Sequence, residues 1–110
     1  MDDLAELNAR IAAFIDAREW RRYHTPKNLA MALTGEVGEL VEILQWLTPE
    51  EAAAAGSDPE LRHALEDELA DVLIYLASLA SVLEIDLVHV ALRKVARNEE
   101  RFTVDPGARP

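Results

Sequence analysis

Two short acidic stretches sit where core helices would carry apolar residues. "GEVGELVE", residues 35–42, places Glu36, Glu39 and Glu42 in a run otherwise rich in Leu, Val, Ile and Ala. On a helical wheel of 100° per residue, Leu29, Leu33, Val37, Leu40, Val41 and Leu44 flank Glu36 on one side, with Ala32 and Ile43 on the other. Glu36 thus lies inside a broad apolar arc, Glu39 lies on its edge beside Asn28 and Trp46, and Glu42 points further out to solvent. "EDELADVLIYL", residues 66–76, repeats the device. Glu68 falls inside the arc formed by Leu61, Leu65, Val72, Leu76 and Leu79, with Asp71 on its edge. Residues i and i+3 are neighbours on a helix surface, so two such helices packed antiparallel bring four carboxylates together. Anions held out of water are costly unless paired or bound to metal. The chain has 11 Lys plus Arg against 21 Asp plus Glu, so paired cations are scarce. Hard oxygen ligands suit Mg²⁺, with Mn²⁺ as the alternative. One acid on one apolar helix would read as a solvated or salt-bridged edge; the doubled pattern favours a metal site. Gly35 and Gly38 flank Glu36 at a helix cost of about 1 kcal/mol each, which points to close approach of a ligand or another backbone.

The elements that must position these acids are all helical. Ala, Leu, Glu and Arg dominate, and no alternating strand pattern or hairpin dipeptide occurs. A first helix is expected from about Asp3 to Arg18, with Leu4, Leu7, Ile11, Phe14 and Ile15 on one face. "REWRRYHTPKN" links it to a second helix capped by Thr25 with Pro26 in its first turn, running to about Trp46 or Leu47. Thr48 caps a short piece starting at Pro49 and ended by Gly56. A third long helix runs from Pro59 to about Leu83, and a fourth from about Asp86 to Arg101. The expected architecture is all-α and four-helix-bundle-like, one domain over residues 1–103 with a disordered tail at 104–110.

Bulk properties bound the function. A chain of 110 residues suits one domain whose small core benefits from oligomerisation. There is no cysteine, hence no disulfide and no thiolate chemistry. A net charge of −10 argues against a nucleic-acid backbone as partner but not against a small phosphorylated ligand bridged by cations. The N-terminus is not signal-like, and the longest apolar run, "VLIYLASLASVLEIDLV", falls short of the roughly 20 residues a span needs. The expectation is a cytoplasmic protein with no membrane partner.

"EWRRYHTPKNLAMALTGEVGELVEILQW", "DELADVLIYL" and "KVARNEERF" together resemble the MazG-like all-α nucleoside triphosphate pyrophosphohydrolases, and within them the dCTP pyrophosphatase branch. The resemblance spans roughly residues 4–103. It implies hydrolysis between the α- and β-phosphates to a monophosphate and pyrophosphate. It also implies Mg²⁺ held by Glu36, Glu39, Glu68 and Asp71, and a dimer or tetramer with sites built at subunit contacts. The adjacent-glutamate form of the first motif is absent: Gly35 precedes Glu36. A carboxylate beside the metal, Glu36 or Glu39, is the candidate for orienting or deprotonating water.

Other candidates fit around the acids. Lys94, Asn98 and Arg101 form one helical stripe suited to phosphate, against an ordinary solvated stripe beside Glu99 and Glu100. Trp20, Trp46 and Tyr75 offer rings on which a base can stack, against packing at a helix or subunit contact. By the resemblance, His24 touches base or sugar. Asn28 bonds the nucleotide or caps locally, and Ile74 is read as a surface between subunits. The expected substrate is dCTP or a modified dCTP, in nucleotide-pool sanitation. The alternatives are dUTP, another dNTP or phosphoribosyl-ATP, or a non-catalytic helical oligomer that binds cations for structure.

Overall fold

The computed structural model describes residues 2–104, and every regular element among them is helical. α1 spans Asp3–Ala17, α2 Pro26–Leu44, α3 Pro49–Ala53, α4 Pro59–Val82 and α5 Leu87–Arg101, with 3₁₀ turns at Arg21–Tyr23 and Ala55–Ser57. Each α-helix starts at a side chain that accepts an otherwise unpaired amide. The Asp2 carboxylate accepts from the Ala5 N–H at 2.7 Å, and Thr25 accepts from Asn28 just ahead of Pro26. Thr48 and Glu51 exchange bonds in a capping box. Asp58 accepts from the Glu60 and Leu61 amides before Pro59, and Asp86 accepts from His89.

The ends of α1 and α4 share one construction. The Trp20 N–H donates to the Ile15 carbonyl at 3.1 Å and Glu19 to Asp16; the Ile85 N–H donates to Ala80 at 2.8 Å and Glu84 to Ser81. This is the Schellman pattern, with Glu19 and Glu84 in the left-handed region at φ 56° where glycine is usual. In both cases an apolar residue follows, Trp20 or Ile85, turned back onto the helix it ends.

α2 packs along α4, and α1 lies against the C-terminal half of α4. Leu29, Ala55, Ala77, Ser78 and Ala80 are the buried residues. α5 leaves α4 at 98°. Its first turn is half-buried at Leu87 and Val90, but Val88, Leu92 and Val95 stand in solvent, Leu92 at 65 % exposure. The all-α, four-helix-bundle-like fold is thus as expected, with α1, α2 and α4 packed on one another and much of α5 standing free of them. Other expectations shift. Gly56 does not end α3: it lies in the 3₁₀ turn after Ala53. A Cβ at Gly35 or Gly38 would meet nothing within 4 Å, so the close approach expected there is not made inside the chain. The expected tail lies largely outside the described residues. No single described helix is long and apolar enough to cross a membrane.

Candidate active site

The α2–α4 packing brings the two acidic pairs face to face. One carboxylate oxygen from each of Glu36, Glu39 and Glu68 lies within 4.8 Å of the others. Glu36 and Glu68 are half-buried and Glu39 is exposed. Oε2 of Glu36 and Oε2 of Glu68 are shut off from solvent without a hydrogen-bond partner. Native structures rarely tolerate such orphaned oxygens, because each costs its full desolvation. Burial first, then the neighbouring carboxylates of Glu36 and Glu39, pushes the Glu68 carboxyl up to about 7. Burial likewise raises Glu36, with repulsion from Glu39 and Asp71 adding and Glu68 pulling the other way. Three carboxylates this close, two of them carrying an orphaned oxygen and none in an ion pair among the described residues, suit a divalent cation of the Mg²⁺ type.

Asp71 stands outside that close group, one turn along α4. Its charge still reaches Glu36, and its side chain lines a second feature, an open pocket of about 460 Å³ between α1, the Trp20–His24 turn and α4. Asp71 therefore marks the corner between acids and pocket. Tyr75, Trp20 and His24 line the same pocket, so candidates from two distant stretches of sequence share one wall. The Schellman turn delivers Trp20 there, edge-on to Phe14 at 5.8 Å between centroids and 73° between planes. The Arg18 guanidinium covers Phe14 at 3.6 Å. The rest of the wall is chiefly the apolar face of α1, with Leu7, Ile11 and Phe14.

Other candidates fall elsewhere. The Asn28 side chain donates to the Tyr23 carbonyl at 3.1 Å, so it braces the turn that carries Trp20 and His24. Trp46 is 85 % exposed beyond the end of α2 and does not line the pocket. Lys94 and Asn98 ride on α5 and line neither the pocket nor the depression at Glu39 and Glu68. Ile74, read as a contact surface, lines the pocket, and Glu42, read as solvated, borders the acidic depression. Arg10 and Ser78 were not singled out by sequence, yet both line the pocket. Their signal was spacing alone: Arg10 falls between Leu7 and Phe14, and Ser78 follows Asp71 and Ile74 along α4.

The model of the MazG nucleotide pyrophosphohydrolase domain matches residues 24–103, which contain all four acids. The chain is 44% identical over 102 residues to human dCTP pyrophosphatase 1, covering 93% of this chain and 58% of that protein. It is 42% identical over 104 residues to the Bos taurus protein of the same name, covering 94% and 60%. The chain thus spans about three-fifths of the length of these curated relatives. A crystal structure of a pyrophosphatase from Archaeoglobus fulgidus superposes with a TM-score of 0.87 at 38% identity, covering 94% of this chain and 95% of that one. With the family model matching most of its length, the chain belongs to the MazG nucleotide pyrophosphohydrolase domain family.

Proposed function

We propose that the protein hydrolyses a deoxynucleoside triphosphate, dCTP or a modified dCTP, to the monophosphate and pyrophosphate, with Mg²⁺ bound by Glu36, Glu39, Glu68 and Asp71. The observation that carries this reading is the clustering of Glu36 and Glu68, each with an orphaned oxygen, across α2 and α4 beside a nucleoside-sized pocket. An acidic chain and a triphosphate repel, so a site of this charge needs a cation between them. When bound, the ion neutralises the triphosphate and polarises the phosphoryl group under attack.

The chain's own groups divide the remaining work. Glu36 and Glu68, held by helix packing, fix the ion's position. Glu39, the exposed member of the trio, has the access to orient or deprotonate the attacking water. Trp20 and Tyr75 hold the base in the pocket on the far side of Asp71. Lys94, Asn98 and Trp46 reach the nucleotide from a second copy, because within one chain they line neither feature. A homo-oligomer is the working form. One catalytic domain over residues 1–103 and a cytoplasmic place in nucleotide-pool sanitation complete the reading.

The test is pyrophosphate release from a panel of canonical and modified NTPs and dNTPs, with Mg²⁺ and with chelator, products being separated by chromatography. Mg²⁺-dependent monophosphate plus pyrophosphate is the expected result. Silence across the panel would overturn the reading.

A further inference from the structure

The turn that delivers Trp20 and His24 is tied down at both ends. At its start, the Trp20 N–H donates to the Ile15 carbonyl at 3.1 Å, and the Arg21 guanidinium holds the Asp16 carboxylate at 2.7 Å. Both of these bonds fix the turn to the end of α1. At its other end, Nδ2 of Asn28 donates to the Tyr23 carbonyl at 3.1 Å. A carbonyl only accepts, so the amide nitrogen of Asn28, not its oxygen, faces Tyr23. Among the described residues this is the one side-chain hydrogen bond that α2 sends back to the turn. α1 packs on α4 rather than along α2. The wall made by α1 and the turn therefore reaches α2, which carries Glu36 and Glu39, by way of α4, the linking backbone and Asn28.

Asn28 lines neither the pocket nor the acidic depression, and its donor is already engaged. It is exposed, three residues past the cap Thr25. The helix itself has no need of an amide there: asparagine is a weak helix former, and the first turn favours a carboxylate. What the amide supplies is the bond to Tyr23. A turn left loose would have to be ordered by the base as it binds, at a cost to affinity.

We infer that Asn28 is a positioning residue: without touching the substrate, it locks the Trp20–His24 turn to the helix of Glu36 and Glu39, so that the base-holding side chains are set in place before the nucleotide arrives. The inference rests on the pyrophosphohydrolase reading and adds to it a residue that acts only through the turn.

The test compares wild type, Asn28→Asp and Asn28→Ala as full chains with Mg²⁺ and dCTP. Asn28→Asp keeps the volume, suits the first turn of α2 and sets an acceptor against the Tyr23 carbonyl. Asn28→Ala removes the donor without adding charge, and it carries the test if the aspartate variant fails to fold. KM for dCTP should rise about fivefold or more in both, with kcat within about twofold of wild type. Product inhibition separates positioning from general damage. The inhibition constant of dCMP, which carries the base, should rise with KM, while that of pyrophosphate, which lacks it, should stay within about twofold. A further measurement needs no turnover. In a Trp46→Phe chain Trp20 is the sole tryptophan, and adding Asn28→Ala should raise its acrylamide quenching constant about 1.5-fold or more. Unchanged KM and dCMP inhibition in both variants, an equal rise for dCMP and pyrophosphate, or unchanged quenching each overturns the inference while leaving the activity intact. No pyrophosphate from wild type on any nucleotide fails the activity reading itself, and the inference with it.

Discussion

Glu36 and Glu68 differ from the other acids of this chain in keeping one oxygen away from water with nothing to bind it. Replacing either carboxylate by its amide keeps the volume and removes the charge. Glu36→Gln or Glu68→Gln should therefore lower kcat at least about a hundredfold with helical circular dichroism unchanged; near wild-type turnover in both would sink the metal assignment. A pH dependence belongs to the same two residues. Glu68 is raised from its ordinary 4.5 to about 7, chiefly by burial. A folded-state pKa above the unfolded one means that the folded chain holds the proton longer. Without metal, stability should accordingly fall as pH rises from about 4.5 to about 7 and level off above that. A bound cation needs the anions, so its stabilisation grows over the same interval. Thermal melts with and without Mg²⁺ should show a larger upward shift at pH 8 than at pH 5.5. Equal shifts at both values would show that the ion does not compete with this proton.

Helix starts were legible in the sequence, and the stops of α1, α4 and α5 to within about one residue, while the pocket was not, and the reason lies in side-chain chemistry. Thr25–Pro26, Thr48–Pro49 and Asp58–Pro59 announce themselves because an oxygen two or three bonds from the backbone can accept only at an N-terminus. The acid pairs were legible because a carboxylate inside an apolar arc conflicts with burial. The stops at Ala17 and Val82 lacked their usual mark, since glutamate occupies the left-handed position in each. The pocket was hidden because Leu7, Ile11 and Phe14 show the same spacing whether their face meets a core or a cleft. Exchanging the strained residue for glycine tests the element directly. Glu84→Gly should stabilise the fold by roughly 0.5–1 kcal/mol, read as a higher urea midpoint at unchanged slope. A lower midpoint would mean that the glutamate side chain contributes more than its backbone costs.

At the scale of the whole molecule, the isolated chain is too open for its size. It exposes 8774 Å², against about 6,000 Å² for a folded monomer of 12.2 kDa. Its radius of gyration is 17.2 Å, against about 13 Å for a compact domain of this length. The excess is apolar where α5 carries Val88, Leu92 and Val95, and where α2 shows Met31 and Val41. Light scattering should therefore give at least twice the chain mass. The proposed site requires more than association, however: it requires Lys94 and Asn98 of one copy to meet the nucleotide held by another. Mixing two inactive variants separates these ideas. Glu68→Gln lacks the metal site and Lys94→Ala lacks the phosphate contact. If each site draws its acids from one chain and its lysine from the other, a mixed dimer contains one intact site and one doubly defective site. Random exchange makes about half of the dimers mixed, so about one quarter of wild-type activity should return on mixing. If acids and lysine serve the same nucleotide within one chain, every site in every mixture stays defective, and no activity returns however well the copies exchange.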